Sequence, residues 1–199
     1  MVNKKICLGC SGNAQSGKDT LYSCLEITLS EHGIQTEQFS LANILKADLN
    51  KFLLDKVGIS AYTKNIKEKE IIRPLFVEYG QIQRFLSRGK HWTSMLIEPI
   101  ENSLLDGKLP IVTDIRYDFY PEDEYYWLKN IIRGELVFIK RTLPNGQIVP
   151  PANKEEAENN PKLEKQANYH LTWPTTEDIR VRLDYVKVQL KPLLEKILL

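Results

Sequence analysis

Little in this chain is extreme, and each absence removes a class of function. The formal net charge is only +1 over 199 residues, so no global field draws it to nucleic acid or to a membrane surface. No apolar run approaches the roughly 20 residues of a membrane span. Met1-Val2-Asn3-Lys4-Lys5 precedes a run of about five apolar residues, too short for a secretory signal. Cysteine is scarce, at three, which suits a reducing compartment, and the expected location is the cytoplasm. Cys7-Leu8-Gly9-Cys10 has CxxC spacing, but it falls on an apolar run that reads as a strand. Residues three apart on a strand face opposite sides of a sheet, so these two thiols are expected to be buried and inert. His32, His91 and His170 are scattered without ligand spacing, and no His–carboxylate pair announces a general base. No internal repeat is present.

What the chain does have is Gly12-Asn13-Ala14-Gln15-Ser16-Gly17-Lys18-Asp19-Thr20, between the apolar run Ile6–Cys10 and a helical pattern at Leu21, Cys24, Leu25 and Leu29. Strand, glycine-bounded loop and helix in that order aim backbone N–H groups and the positive end of a helix dipole at one point. That point suits a polyphosphate, and Lys18 can reach its outer phosphates. The spacing is that of the Walker A loop with one departure. The hydroxyl expected directly after the lysine is replaced by Asp19 and arrives one place later, at Thr20.

Composition, 42% hydrophobic and 27% charged, fits a single domain over 1–199 with a substantial core. Strand patterns at 33–41, 109–114, 136–140 and 169–173 alternate with helical patterns at 42–57, from Pro74 to Arg88, 92–105, 121–132 and 175–199. Such alternation predicts an α/β fold with a parallel sheet and helices on both faces. Residues 142–166, rich in Pro, Asn, Lys and Glu, read as a long loop with at most one helical turn, a lid-like insertion.

Asp114 ends an apolar strand, where parallel sheets bind ligands. It reads as a magnesium-holding carboxylate, directly or through water, with a turn or helix cap as the alternative. Arg116, two places on, reads as a phosphate clamp or else as a surface arginine paired with Asp118 or Glu122. Glu122-Asp123-Glu124 resembles a metal cluster, but falls in a helix first turn, where carboxylates complement the dipole. Arg84 and Arg88 share one helix face with Gln81, with Arg73 nearby and Lys46 on the preceding helix. They read either as a second anion site or as a solvated basic face.

Several pieces together resemble the bacteriophage deoxynucleoside monophosphate kinases of the P-loop kinase group. These are Ser16-Gly17-Lys18-Asp19-Thr20, Phe39-Ser40-Leu41-Ala42-Asn43-Ile44-Leu45-Lys46, Ile72-Arg73-Pro74-Leu75 to Tyr79-Gly80 with Arg84 and Trp92, and Val112-Thr113-Asp114-Ile115-Arg116. Val137-Phe138-Ile139-Lys140-Arg141 falls where that family carries a strand ending in Arg. The likeness runs to about Arg141, and part of it is shared with phosphomevalonate kinases of animal type.

The resemblance implies a three-layer fold with five parallel strands, ATP and Mg²⁺ as cofactors, and phosphoryl transfer to a (deoxy)nucleoside monophosphate. Lys18, Arg116 and Asp114 would be catalytic, and Gly12 to Thr20 with Arg141 would bind ATP. Lys46, Arg73, Arg84, Arg88 and Trp92 would bind the acceptor, within residues 42–106. Asp114, with Asp19 or Thr20, would hold the metal, and Trp173-Pro174 is one candidate border for the adenine. Partners would be nucleotide substrates, without nucleic acid or membrane, to a monomer or homodimer in the host cytoplasm if phage-encoded. The alternatives are another phosphorylated acceptor, phosphomevalonate first, or a P-loop module that binds nucleotide without transfer.

Overall fold

In the computed structural model, which describes residues 6–199, strand and helix alternate as the apolar pattern predicts. Strands β1 (Leu8–Ser11), β2 (Thr36–Phe39), β3 (Leu109–Val112), β4 (Glu135–Thr142) and β5 (Tyr169–Pro174) form one sheet. Its order is β2-β3-β1-β4-β5, with every neighbouring pair parallel. Helix α1 (Lys18–Ser30) follows β1, and α2 (Leu41–Val57), α3 (Ile66–Ser87), α4 (Lys90–Ser94) and α5 (Ile97–Leu105) fill the β2–β3 connection. Helix α6 (Glu124–Tyr126) runs into a π-helical turn (Trp127–Ile131), α7 (Lys154–Gln166) crosses from β4 to β5, and α8 (Ile179–Gln189) and α9 (Lys191–Leu198) close the chain. Among the described residues no helix is long and apolar enough to cross a membrane.

The strands are apolar on both sides because both sides are covered. Leu8, Cys10, Ile111, Val137, Ile139, Leu171 and Trp173 pack with α1, α8 and α9. Cys7, Val112, Leu136 and Phe138 pack on the other side with Leu41, Trp92, Ile100, Leu128 and Leu163. Each fully buried leucine among them contributes about 1.5–3 kcal/mol. Cys7 and Cys10 therefore lie in different cores as free thiols, and burial pushes both up, Cys10 to about 12.

Several boundaries differ from the expectation, each for a local reason. The helix expected to open at Pro74 begins at Ile66, because Asn65 caps it by accepting the Lys67 N–H at 3.0 Å. Pro74 is thus interior and forgoes one backbone bond, to the Glu70 carbonyl. The expected 92–105 helix is broken in two. The Thr93 and Ser94 hydroxyls donate to the carbonyls of Lys90 and His91, competing with the helix ladder. The terminal helix breaks at Leu190, since Pro192 has no N–H to give Val188.

The largest difference is at 142–166. Helix α7 occupies half of it, capped by Asn153, which accepts the Glu156 N–H at 2.8 Å. Its apolar signal is slight because it buries Glu156, Asn159 and Asn160 beside its one fully buried leucine, Leu163. That half is a layer of the sheet, and only residues 143–153 remain as loop.

Candidate active site

The glycine-bounded loop sits at the C-terminal end of central strand β1, where a parallel sheet opens its ligand crevice. Gly12 has φ +140° and Gly17 φ +99°, both in the region that favours glycine. A Cβ at Gly12 would lie 2.3 Å from the Ile139 carbonyl oxygen, and one at Gly17 would lie 2.7 Å from Trp173 Cζ2. Both glycines are thus fixed by the packing of the loop on β4 and β5 as well as by any ligand. Trp173, nearly fully buried, donates its indole N–H to the Ser16 carbonyl at 2.9 Å. It braces the loop and at the same time lines the cavity beside Lys18 and Arg182.

The far side of the loop is tied to the segment that includes α7. Asn13 donates to the Val149 carbonyl at 2.6 Å and accepts from the Asn160 amide. One carboxylate oxygen of Glu156 accepts the Ala14 and Ala152 N–H groups, each at 3.0 Å. Reading 142–166 as loop left no means of finding Glu156 or Asn160. Their signal, Asn153 three places before Glu156, is that of a helix cap.

Lys18 folds across the loop and donates to the carbonyls of Gly12 and Asn13 at 2.8 and 2.9 Å. Burial first, and then the Arg116 guanidinium, hold its ammonium down to about 8. Lys18, Arg116, Arg141 and Arg182 line one cavity of about 410 Å³ together with Asp19 and Thr20. The Arg141 Nε is buried without a partner. Arg182, which the sequence reading missed, donates to the Thr20 hydroxyl at 3.0 Å and lies 5.8 Å from the Trp173 ring centre. Its signal was weak: a place near the start of the helix after the last strand. Concentrated cations and a buried unpaired guanidinium nitrogen fit a polyphosphate.

Fit to a divalent cation is more selective. Asp114 accepts from the Ser40 hydroxyl at 2.8 Å, the Leu41 N–H at 2.9 Å and the Ala42 N–H at 2.8 Å. A carboxylate offers about four lone-pair positions, so anchoring the start of α2 uses most of Asp114. The cap reading is therefore realised in the structure, and a metal role would have to share that carboxylate. The Thr20 hydroxyl is engaged by Arg182. Asp19 is exposed beside the loop and accepts from the Gln38 amide at 3.0 Å, which leaves it the more available carboxylate. Among the described residues no group of three His, Cys, Asp or Glu is placed to hold a metal by itself. An ion held mainly by phosphate oxygens and water needs no such group.

On the other side of Arg116 lies a second cavity, of about 200 Å³. Leu41, Leu45, Phe76, Val77 and Trp92 form its apolar wall, and Gln81, Arg84, Asp114, Arg116, Tyr117, Glu124 and Glu155 its polar one. Arg84 is buried, paired with Asp123 at 2.6 Å, and stacked 3.4 Å from the Tyr117 ring centre. Asp123, with no exposure, also accepts the N–H groups of Phe119, Tyr120 and Glu124. Glu124 accepts the N–H groups of Arg116 and Tyr117 at 2.6 and 3.2 Å. Burial, and then the Asp123 charge, push the Glu124 carboxyl up to about 8. Asp123 caps α6 and Glu124 lies in its first turn, where their sequence placement put them, but both are buried, and Glu122 meets the surface partner Lys90.

The expected arginine face is also divided. Arg84 lines the cavity, whereas Arg73 and Arg88 are exposed on α3 and its cap and do not. Lys46 is half-buried on α2, likewise outside the cavity lining. Trp92 is a buried cavity wall, edge-on to Tyr79 at 5.7 Å. Arg116 and Arg141 do meet Lys18 at the phosphate cavity.

No family model matches the sequence, and no curated protein matches it. Solved structures do share its fold. A dephospho-CoA kinase from Campylobacter jejuni superposes with a TM-score of 0.51 over 96% of each chain, at 11% identity. A shikimate kinase from Bacteroides thetaiotaomicron gives 0.51 at 14% identity, over 96% of this chain and 98% of that one. This chain has the P-loop kinase fold. At these identities the likeness carries the arrangement of strands, helices and loop, while the chemistry rests on the side chains described above.

Proposed function

We propose that the protein transfers the γ-phosphoryl group of ATP to the phosphate of a (deoxy)nucleoside monophosphate, giving ADP and a nucleoside diphosphate. One observation carries this reading: Arg116 lines both the phosphate cavity and the second cavity. An anion in each would meet across a shared guanidinium, which could hold two phosphates close together and offset their repulsion during transfer.

An acceptor phosphate is largely dianionic at neutral pH, so its oxygen is already a nucleophile and needs no base. That oxygen bonds to the γ-phosphorus as the bond from the γ-phosphorus to the ADP oxygen breaks. The task left to the protein is to hold two anions together and neutralise them. Lys18 and the loop amides would hold the outer phosphates of ATP, and Arg141 and Arg182 would flank them. Magnesium, when bound, would neutralise charge between the β- and γ-phosphates, held by Asp19 and, through water, by Asp114. Arg84 and Arg116 would receive the acceptor phosphate. The apolar and aromatic wall with Gln81 and Tyr117 suits a flat, hydrogen-bonding base better than an aliphatic acid.

The test is ADP formation from ATP against a panel of deoxynucleoside monophosphates and phosphomevalonate. Turnover with at least one nucleotide and none with phosphomevalonate is expected. Turnover with phosphomevalonate alone would reassign the acceptor. ATP binding without turnover on any of them would make the protein a nucleotide-binding module.

A further inference from the structure

We infer that Glu155 reads the edge of the acceptor's base, selecting nucleobases with an exocyclic amino group over thymine and uracil. This rests on the monophosphate reading above and adds to it which bases the second cavity admits.

Glu155 stands in the first turn of α7, half-buried, on the polar side of the second cavity. One of its oxygens accepts the Tyr117 hydroxyl at 2.9 Å, and the other accepts the Gln81 side-chain amide. Both donors come from other elements, so the carboxylate is held in place from two sides. Arg84 and Arg116 supply the cavity's cations and would take the phosphate, leaving Glu155 and Gln81 for the uncharged part of the ligand.

An ionised carboxylate only accepts hydrogen bonds. Two of its roughly four lone-pair positions are used by Gln81 and Tyr117, and the remaining ones require donors. Cytosine, adenine and guanine each present an amino group on the pairing edge. Thymine and uracil present one N–H between two carbonyl oxygens, which sets like partial charges against the carboxylate in a partly desolvated site. The Gln81 amide is pinned by its bond to Glu155, and its second N–H and its carbonyl oxygen still offer both a donor and an acceptor, which suit either edge. The choice therefore falls to Glu155.

The experiment compares kcat/KM on dCMP, dAMP and dGMP with that on dTMP and dUMP, for the intact chain and for Glu155→Gln. The intact protein should favour its best amino-bearing substrate over both others by about 10-fold or more, the scale of one well-placed base contact. Glutamine adds a donor at the same place, so the preference should shrink to within about 3-fold. Most of that change should come from a lower KM for dTMP. If the glutamine variant folds but does not turn over, dissociation constants of the same monophosphates carry the comparison. If it does not fold, Glu155→Asp keeps the charge and must keep the direction of the preference. Equal use of dTMP and dCMP by the intact protein, or a Glu155→Gln loss equal on all five, overturns the inference while leaving monophosphate transfer standing. No turnover of any of the five sinks the monophosphate reading and this inference with it.

Discussion

The two cavities that meet at Arg116 are built on opposite principles. In the first cavity Lys18, Arg116, Arg141 and Arg182 converge beside one carboxylate, Asp19, and burial, then the Arg116 charge, lower the Lys18 ammonium. In the second cavity much of the charge already has a protein partner. Arg84 is paired with Asp123, Asp114 is satisfied by the start of α2, and Glu124 is pushed toward its neutral form. The first cavity is incomplete without an anion. The second is partly satisfied, and its shape and hydrogen bonds would select what binds beside Arg84 and Arg116.

The contrast can be broken most severely at Arg84. Removing one partner of a buried ion pair leaves an uncompensated charge, and Arg84→Ala should cost about 3–5 kcal/mol of stability. Arg88→Ala, on an exposed cap, should cost within about 0.5 kcal/mol. Denaturant unfolding of the two variants checks this, and equal losses would mean that Arg84 is no more structural than Arg88. Lys18→Ala probes the other side. It should lower kcat about 10²–10³-fold, and a near wild-type rate would remove Gly12–Thr20 from the phosphate site.

Next in size is Asp114→Asn. With three donors aimed at its carboxylate, the amide group of asparagine sets a donor against donors. The expected cost is about 1–3 kcal/mol of stability. Unchanged stability with a shifted magnesium titration of the rate would assign Asp114 to the metal instead of to the start of α2.

A further effect is one of pH. In the unfolded chain Glu124 ionises near 4.5, and in the folded protein near 8. Between those values the folded protein keeps a proton that the unfolded chain has released, so stability falls as pH rises through that window. Glu124→Gln keeps the neutral shape and should flatten the fall. Melting temperatures of both proteins from pH 5 to 8.5 compare the slopes, and coincident profiles would place an ionised Glu124 in the folded state.

The same contrast explains what the sequence made legible. Gly12 to Thr20 is contiguous, so its local geometry was readable, and the alternation of apolar runs gave the parallel sheet. The faces of Cys7 and Cys10 followed from strand periodicity alone. Helix α7 was missed because it buries Glu156 and Asn160 against the glycine-bounded loop and Asn159 against Asp118, leaving a composition that resembles solvent-exposed loop. The acceptor cavity draws on residues from Leu41 to Glu155, brought together only by tertiary packing. Spacing could group Arg84 with Arg88 on a helix face. It could not reveal that Asp123, 39 residues away, would bury one and not the other.

Arg116 is where the account is most exposed, because the proposed transfer depends on its serving both cavities. The decisive measurement follows label from γ-labelled ATP into a deoxynucleoside diphosphate, for the intact protein and for Arg116→Ala, with the dissociation constant of ATP measured alongside. The prediction is labelled diphosphate from the intact protein and a transfer rate about 10²–10³ lower in the variant, with ATP affinity changed only a few-fold. Label appearing only as free phosphate, or an Arg116→Ala variant that transfers it at near the intact rate, would contradict the account.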